Sequence, residues 1–359
     1  MVTGRAAQLL GVGVAAVWLV SGVVLDLIVN PSTAIFISLF SMSALIACAV
    51  LSARVTAVFA VAAAAAAVGA GWWDGTWDSD FGLQLVFVVN AGLVGGAAVV
   101  IASVRVRREQ TYTRAVAIAD IAQRAILPAV PPIVGHVAVG TRYLSAADDA
   151  LVGGDLYDYY YDDATTRFLV GDVRGKGLDA VEQAARVIRS FRQSASSVAD
   201  LPEVAKSMTA YLAPFLDDEE FVTALLVDVS DPTHLTLVSC GHPQPLLSTK
   251  GGPARLLELP AGLPLGLADS YTAVKVPWRP GDRLLMYTDG VSEARDANGE
   301  FFPPMNLADP MTNQDVAQAL DDALEAVHRH VRNGRLVDDL AVVLLENCDR
   351  PVAGEPQRE

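Results

Sequence analysis

The first 103 residues carry almost no charge, and this limits what they can become more than any motif in the chain does. Leu9 to Val29, Ala34 to Leu51, Val55 to Gly71 and Gly82 to Ser103 are apolar runs of about 17 to 22 residues, enough for a helix to cross a hydrocarbon layer of about 30 Å. The sequence therefore predicts a four-helix transmembrane region over residues 1–103. A cleaved signal peptide is the alternative for the first run. Its apolar stretch exceeds the usual length of about 7 to 15 residues, and three similar runs follow it.

Arg5, Arg54 and the group Arg105, Arg107 and Arg108 fall before the first run, between the second and third, and after the fourth. All three places lie on one side of the layer, which the positive-inside rule makes cytoplasmic. The expectation is a multi-pass cell-membrane protein with its N-terminus and its charged half in the cytoplasm. Asn30-Pro31 and the loop from Trp72 to Asp78 then lie outside, and the tryptophans of that loop read as interfacial anchors. Asp26, near a helix end, is placed to reach the headgroups. The runs otherwise offer little polarity beyond Gln84 and Asn90, which argues against a transporter, since a substrate path needs polar groups at depth.

Nearly all of the 41 acidic and 26 basic side chains lie beyond residue 103. Val104 to Leu127 reads as a helix ending before Pro128, and Tyr112, Ala115, Ala119, Ala122 and Ile126 form a short heptad-like seam. Residues 104–130 are thus a helical linker, and a homodimer through 104–127 is one use of it; packing of a single amphipathic helix on its own domain is the other. Residues 131–347 suit one compact domain. Residues 348–359, rich in Pro, Glu and Gly, suit a disordered tail.

Within that domain, strands are expected at Val137–Tyr143, Asp155–Tyr161, Phe168–Val173, Val222–Val229, His234–Ser239, Arg283–Tyr287 and Asp339–Leu345. Helices are expected at Ala180–Ser197, Leu201–Leu216 and Asn313–Arg332. The link Ser230-Asp231-Pro232-Thr233 is too short for a crossover, so its flanking strands should pair antiparallel. Strands on either side of grouped helices favour an α+β fold of antiparallel sheets covered by helices.

Acids recur where these apolar runs begin or end: Gly153-Gly154-Asp155, Gly171-Asp172-Val173-Arg174-Gly175-Lys176-Gly177, Thr288-Asp289-Gly290 and Val337-Asp338-Asp339. Taken singly, each could be a turn, a helix cap or a solvated strand start. Taken together, they suggest a carboxylate cage for hard divalent cations such as Mg²⁺ or Mn²⁺, because strands can hold loop acids in convergence. Two such ions can clamp a phosphate and activate a water for in-line displacement. The three cysteines, Cys48, Cys240 and Cys348, show neither disulfide nor zinc spacing. Neither Cys240 nor Cys348 precedes an arginine at phosphate-loop spacing, which argues against a thiol phosphatase. The net charge of −15 argues against nucleic acid as a partner.

Further motifs fall in order along the domain: Ala122 to Pro128, Val152 to Asp158, Gly171 to Gly177, Phe221-Val222-Thr223-Ala224, Gly241 to Leu246, Leu263-Pro264-Leu265-Gly266 and Thr288 to Glu293. In these, residues 118–346 resemble SpoIIE-like, RsbU-type serine phosphatases, a bacterial branch of the metal-dependent protein phosphatase 2C family. The resemblance implies a β-sandwich flanked by helices, with two Mn²⁺ or Mg²⁺ ions in a cleft at one edge. It implies that Asp172 bridges both ions beside the Val173 carbonyl, that Asp155 serves the second ion, and that Asp289 and Asp338 serve the first. Asp339 stands at a position that is Asn in many relatives, and Thr288 and Gly290 shape the loop around Asp289.

Arg174 takes the place where eukaryotic relatives often carry a histidine that protonates the leaving oxygen. Arg174 and Lys176 are candidate phosphate contacts, and His242 reads as structural. The substrate implied by the resemblance is phosphoserine or phosphothreonine on a cytoplasmic regulatory protein of the anti-sigma-factor antagonist type. The rival is a membrane sensor with a catalytically weak domain that binds a regulator, against which stands retention of the acidic positions.

Overall fold

The computed structural model describes residues 5–28, 37–73, 75–145, 153–217, 220–331, 336 and 338–348. The chain divides into two compact units, residues 1–114 and 115–359. Asn30-Pro31, Asp74, Val152, Val337, Arg332 and the expected tail beyond Cys348 lie outside the described residues.

The first unit is helical: α1 (Arg5–Ile28), α2 (Ile37–Val50), α3 (Ala53–Trp73), a single turn α4 (Thr76–Ser79) and α5 (Phe81–Ile126), which runs on into the second unit. Three of these helices, over Ala7–Ile28, Ala53–Trp73 and Phe81–Ile126, are long and apolar enough to cross a membrane; the fourth expected span is shorter among the described residues, at Leu39–Val50. Small residues make the interior, with Ala63, Ala67, Ala70 and Ala91 buried around Phe40. Such side chains let backbones approach where apolar burial gives no driving force between helices.

Gln84 is buried with its amide donating to the Ala67 carbonyl at 2.6 Å, so part of its polarity is met inside the bundle. Arg105 donates to the carbonyls of Ala49 and Leu51, at 2.8 and 2.6 Å. Ala49 lies in the last turn of α2 and Leu51 directly follows it, so a cation there complements the negative end of the helix dipole.

The second unit runs β1 (Ile133–Val134), β2 (Val137–Leu144), β3 (Leu156–Tyr161), β4 (Thr166–Val173), α6 (Leu178–Ser197), α7 (Leu201–Leu212), β5 (Val222–Asp228), β6 (His234–Cys240), β7 (Leu246–Ser248), β8 (Ala254–Leu256), β9 (Ala273–Pro277), β10 (Arg283–Tyr287), α8 (Asp289–Ser292), α9 (Val316–His330) and β11 (Leu340–Asn347). Two sheets result, in the orders β1-β2-β11-β10-β7-β8 and β3-β4-β5-β6-β9. Neighbouring strands pair antiparallel in both, including β5 with β6 across the short link.

Burial follows the alternation of the strands. Val170, Leu225, Leu237, Leu284, Met286 and Val343 fill the space between the sheets. The opposite face of the β3–β9 sheet, with Leu169 and Leu226, packs on Val187, Phe191 and Met208 of α6 and α7. The opposite face of the other sheet, with Leu285 and Leu344, packs on Leu320 and Val327 of α9. The unit is thus a helix-flanked antiparallel sandwich, the α+β fold expected. The helix expected at Leu201–Leu216 becomes α7 followed by a 3₁₀ turn at Ala213–Phe215, where Pro214 cannot continue an α-helix.

Candidate metal centre

The strand order brings four of the sequence's acidic loops to one edge of the sandwich. Asp155 directly precedes β3, Asp172 is the penultimate residue of β4, Asp289 opens α8 just after β10, and Asp338-Asp339 leads into β11. Because β3 pairs with β4, and β10 with β11, each sheet contributes two neighbouring strand ends.

Asp155, Asp172 and Asp289 each present a carboxylate oxygen within 4.8 Å of the others. Only glycine fits at two of the flanking positions. A Cβ at Gly154 would lie 2.1 Å from the Val173 carbonyl oxygen, and one at Gly290 would lie 1.9 Å from the Asp339 carbonyl oxygen. Those close approaches draw β3 against β4 and α8 against the start of β11.

The Thr288 hydroxyl links the sheets: it donates to Asp155 Oδ2 at 2.6 Å and accepts from the Ala341 backbone N–H at 2.9 Å. Gln123, near the end of α5, supports the same acid from behind through a bond of 3.1 Å to the Asp155 carbonyl oxygen. The family resemblance implies only a loop-shaping role for Thr288 and assigns none to Gln123. The signal for Thr288 was its place between a buried strand and the acid; for Gln123 it was a motif without a visible partner.

Without a cation these acids repel. Burial first, then the charge of Asp172, holds Asp155 protonated well above the usual carboxylate range. Burial and then Asp289 push Asp172 up to about 7. Burial, with Glu293 and Asp338, also raises Asp289. An oxygen-only donor set of converging acids, strained by its own charge, fits a hard divalent cation.

The other predicted residues are arranged differently. Asp338 Oδ1 accepts from Lys176 Nζ at 2.8 Å. Asp339 accepts from Tyr143 Oη and Gly153 N, both at 2.6 Å, and from Ser145 Oγ at 3.2 Å. Arg174 lays its guanidinium over the Phe221 ring, 5.4 Å from the centroid. His242 is buried, with Nδ1 3.1 Å from the Thr223 hydroxyl, and burial lowers its pKa to about 3. It is therefore neutral at pH 7 and structural in setting.

A sequence model for Stage II sporulation protein E (SpoIIE) matches residues 162–347, just over half of the 359-residue chain. The chain belongs to the SpoIIE family. Asp155 lies ahead of the matched segment, which contains Asp172, Asp289 and Asp338. Among curated relatives, this SpoIIE-family chain is 25% identical over 170 residues to the phosphoserine phosphatase RsbU of Bacillus subtilis (strain 168), covering 46% of this chain and 48% of the relative. It thus spans about half the length of that relative.

Its fold is similar to the SiaA-PP2C domain of Pseudomonas aeruginosa, with a TM-score of 0.56, 20% identity, and 68% of this chain and 99% of that one covered. It is also similar to a structure of the RsbU and RsbW domains of a Mycobacterium tuberculosis protein, with a TM-score of 0.54, 23% identity and coverage of 61% and 62%. The SpoIIE PP2C phosphatase domain with a fragment of its regulatory domain, from Bacillus subtilis, gives 0.50, 20% identity and coverage of 59% and 64%. The fold is the phosphatase 2C type.

Proposed function

We propose that this SpoIIE-family chain is a membrane-anchored, metal-dependent protein serine/threonine phosphatase. The observation that carries the reading is the convergence of Asp155, Asp172 and Asp289 from both sheets, their oxygens within 4.8 Å, in a phosphatase 2C fold. Asp155, Asp172 and Asp289 would hold the ions, with Asp338, Asp339 and the Val173 carbonyl completing the set that the family resemblance implies. Two Mn²⁺ or Mg²⁺ ions bound there would supply an activated water and neutralise charge developing on the phosphoryl oxygens. The chain's own part is positional: Thr288 fixes Asp155, the glycines admit close backbone approach, and Arg174 and Lys176 border the cluster as contacts for a phosphoryl group.

The proposed substrate is a phosphoserine or phosphothreonine on a regulatory protein of the anti-sigma-factor antagonist type. Kinship with a protein named phosphoserine phosphatase supports it. Three apolar helices support an anchor of residues 1–103, ahead of a linker at 104–130 and a catalytic domain at 131–347. Arg105 bonded to the end of α2 puts two arginine-marked segments at one end of the bundle, which supports a cytoplasmic catalytic domain. In the linker, Ala119 packs on Val181 with Ala122 and Ile126 alongside, so a dimer through 104–127 would use the exposed Ile118 and Ile121.

The test is hydrolysis by the full chain in membranes of phosphoserine and phosphotyrosine peptides. Release of phosphate from phosphoserine, lost in Asp172→Asn, is expected. Equal turnover in the variant would refute the assignment.

A further inference from the structure

The turn between β4 and α6 delivers a cation to one of the acids. Lys176 lies between Gly175 and Gly177, whose φ angles of 123° and 91° are readily adopted by glycine alone. Its Nζ donates to Asp338 Oδ1 at 2.8 Å, and that oxygen also accepts the Asp339 backbone N–H at 3.0 Å. Asp338 and Asp289 stand on adjoining loops, since a Cβ on Gly290 would lie 1.9 Å from the Asp339 carbonyl oxygen. Within the described residues, then, the acid read as a ligand of the first ion already has a positive partner. The pair is only partly covered, with side-chain exposures of 37% for Lys176 and 46% for Asp338, so water can replace either partner.

We propose that Lys176 is a displaceable resident cation of the metal centre. In the metal-free protein its ammonium group neutralises Asp338 through Oδ1, and a divalent ion binding between Asp289 and Asp338 competes with it for that carboxylate. The proposal rests on the acid cluster being a metal centre, and it adds a residue that sets how readily that centre loads. Displacement also reconciles two roles for one side chain, since the released ammonium group is then free for a phosphoryl oxygen.

The test is calorimetric titration of the metal-free full chain, in detergent micelles, with MnCl₂. Four variants accompany the parent: Lys176→Met, Lys176→Gln, Lys176→Arg and Asp289→Asn. Lys176→Met and Lys176→Gln are expected to tighten the Mn²⁺ Kd by about two- to fivefold, the range that release from a partly exposed ion pair corresponds to. Lys176→Arg, which keeps the charge, is expected to stay near the parent. The lysine is exposed in a turn, so these changes leave the fold intact. If Asp289→Asn weakens binding but neither neutral lysine variant tightens it, the lysine proposal fails by itself. If Asp289→Asn binds Mn²⁺ as the parent does, the metal reading fails and takes the proposal with it.

Discussion

Asp172 and Asp289 approach each other from different sheets, and each carries a charge that can be removed without changing the side chain's shape. Replacing either by Asn keeps the shape and removes a charge. Turnover should collapse while the metal-free variant stays folded, its mutual repulsion relieved; near-parental turnover in a folded variant would contradict the roles given. The pH dependence follows from Asp172. Its ordinary pKa of 3.8 is that of the unfolded chain, and in the folded metal-free protein it is about 7. Between those values the folded state holds more protons, so its stability falls as pH rises. In chelator, the parent's Tm should drop relative to Asp172→Asn from about pH 4 to about pH 7. Added Mn²⁺ should reverse that difference at neutral pH.

Thr288→Val removes a donor to Asp155 and an acceptor for the Ala341 N–H, both buried. A cost of about 1 to 3 kcal/mol in chemical denaturation is expected, with Thr288→Ser close to the parent. Which acids turn inward was not legible in the sequence. The orientation of Asp339 depends on Tyr143, Ser145 and Gly153, partners far away in the chain that only the fold brings near.

At the scale of elements, the long strands were legible because their apolar and β-branched residues are continuous. Strands β1, β7, β8 and β9 were not. They are two to five residues long, too short for the alternation of β8 and β9 to stand out from the surrounding loops. The charge step after Ser103 suggested a boundary between a membrane run and a linker helix, yet α5 passes through it unbroken, since arginine and glutamine sustain a backbone helix well. That continuity frames a prediction about regulation. Two residues inserted after Val106 turn the helix by about 200° at about 3.6 residues per turn, whereas seven nearly restore its phase. Phosphatase activity in membranes should change with the two-residue insertion and stay near the parent with seven. Equal activity in all three would make the helix a passive tether.

For the whole molecule, the division into a charge-poor half and a charged half is visible from composition, and the family resemblance implies a metal cleft at one edge of a sandwich. Convergence of the acids is expected from the sequence, but its route is not, because it depends on β3–β4 and β10–β11 belonging to different sheets that meet face to face. The central claim is that this edge is a metal-dependent phosphatase centre. It is tested most directly by one titration: the full chain, reconstituted in membranes and stripped with chelator, is supplied with Mn²⁺ while phosphate release from a phosphoserine protein is followed. No release is expected without metal, with recovery that follows Mn²⁺ occupancy and is absent in Asp172→Asn. Hydrolysis that persists in chelator at the parental rate would contradict that claim.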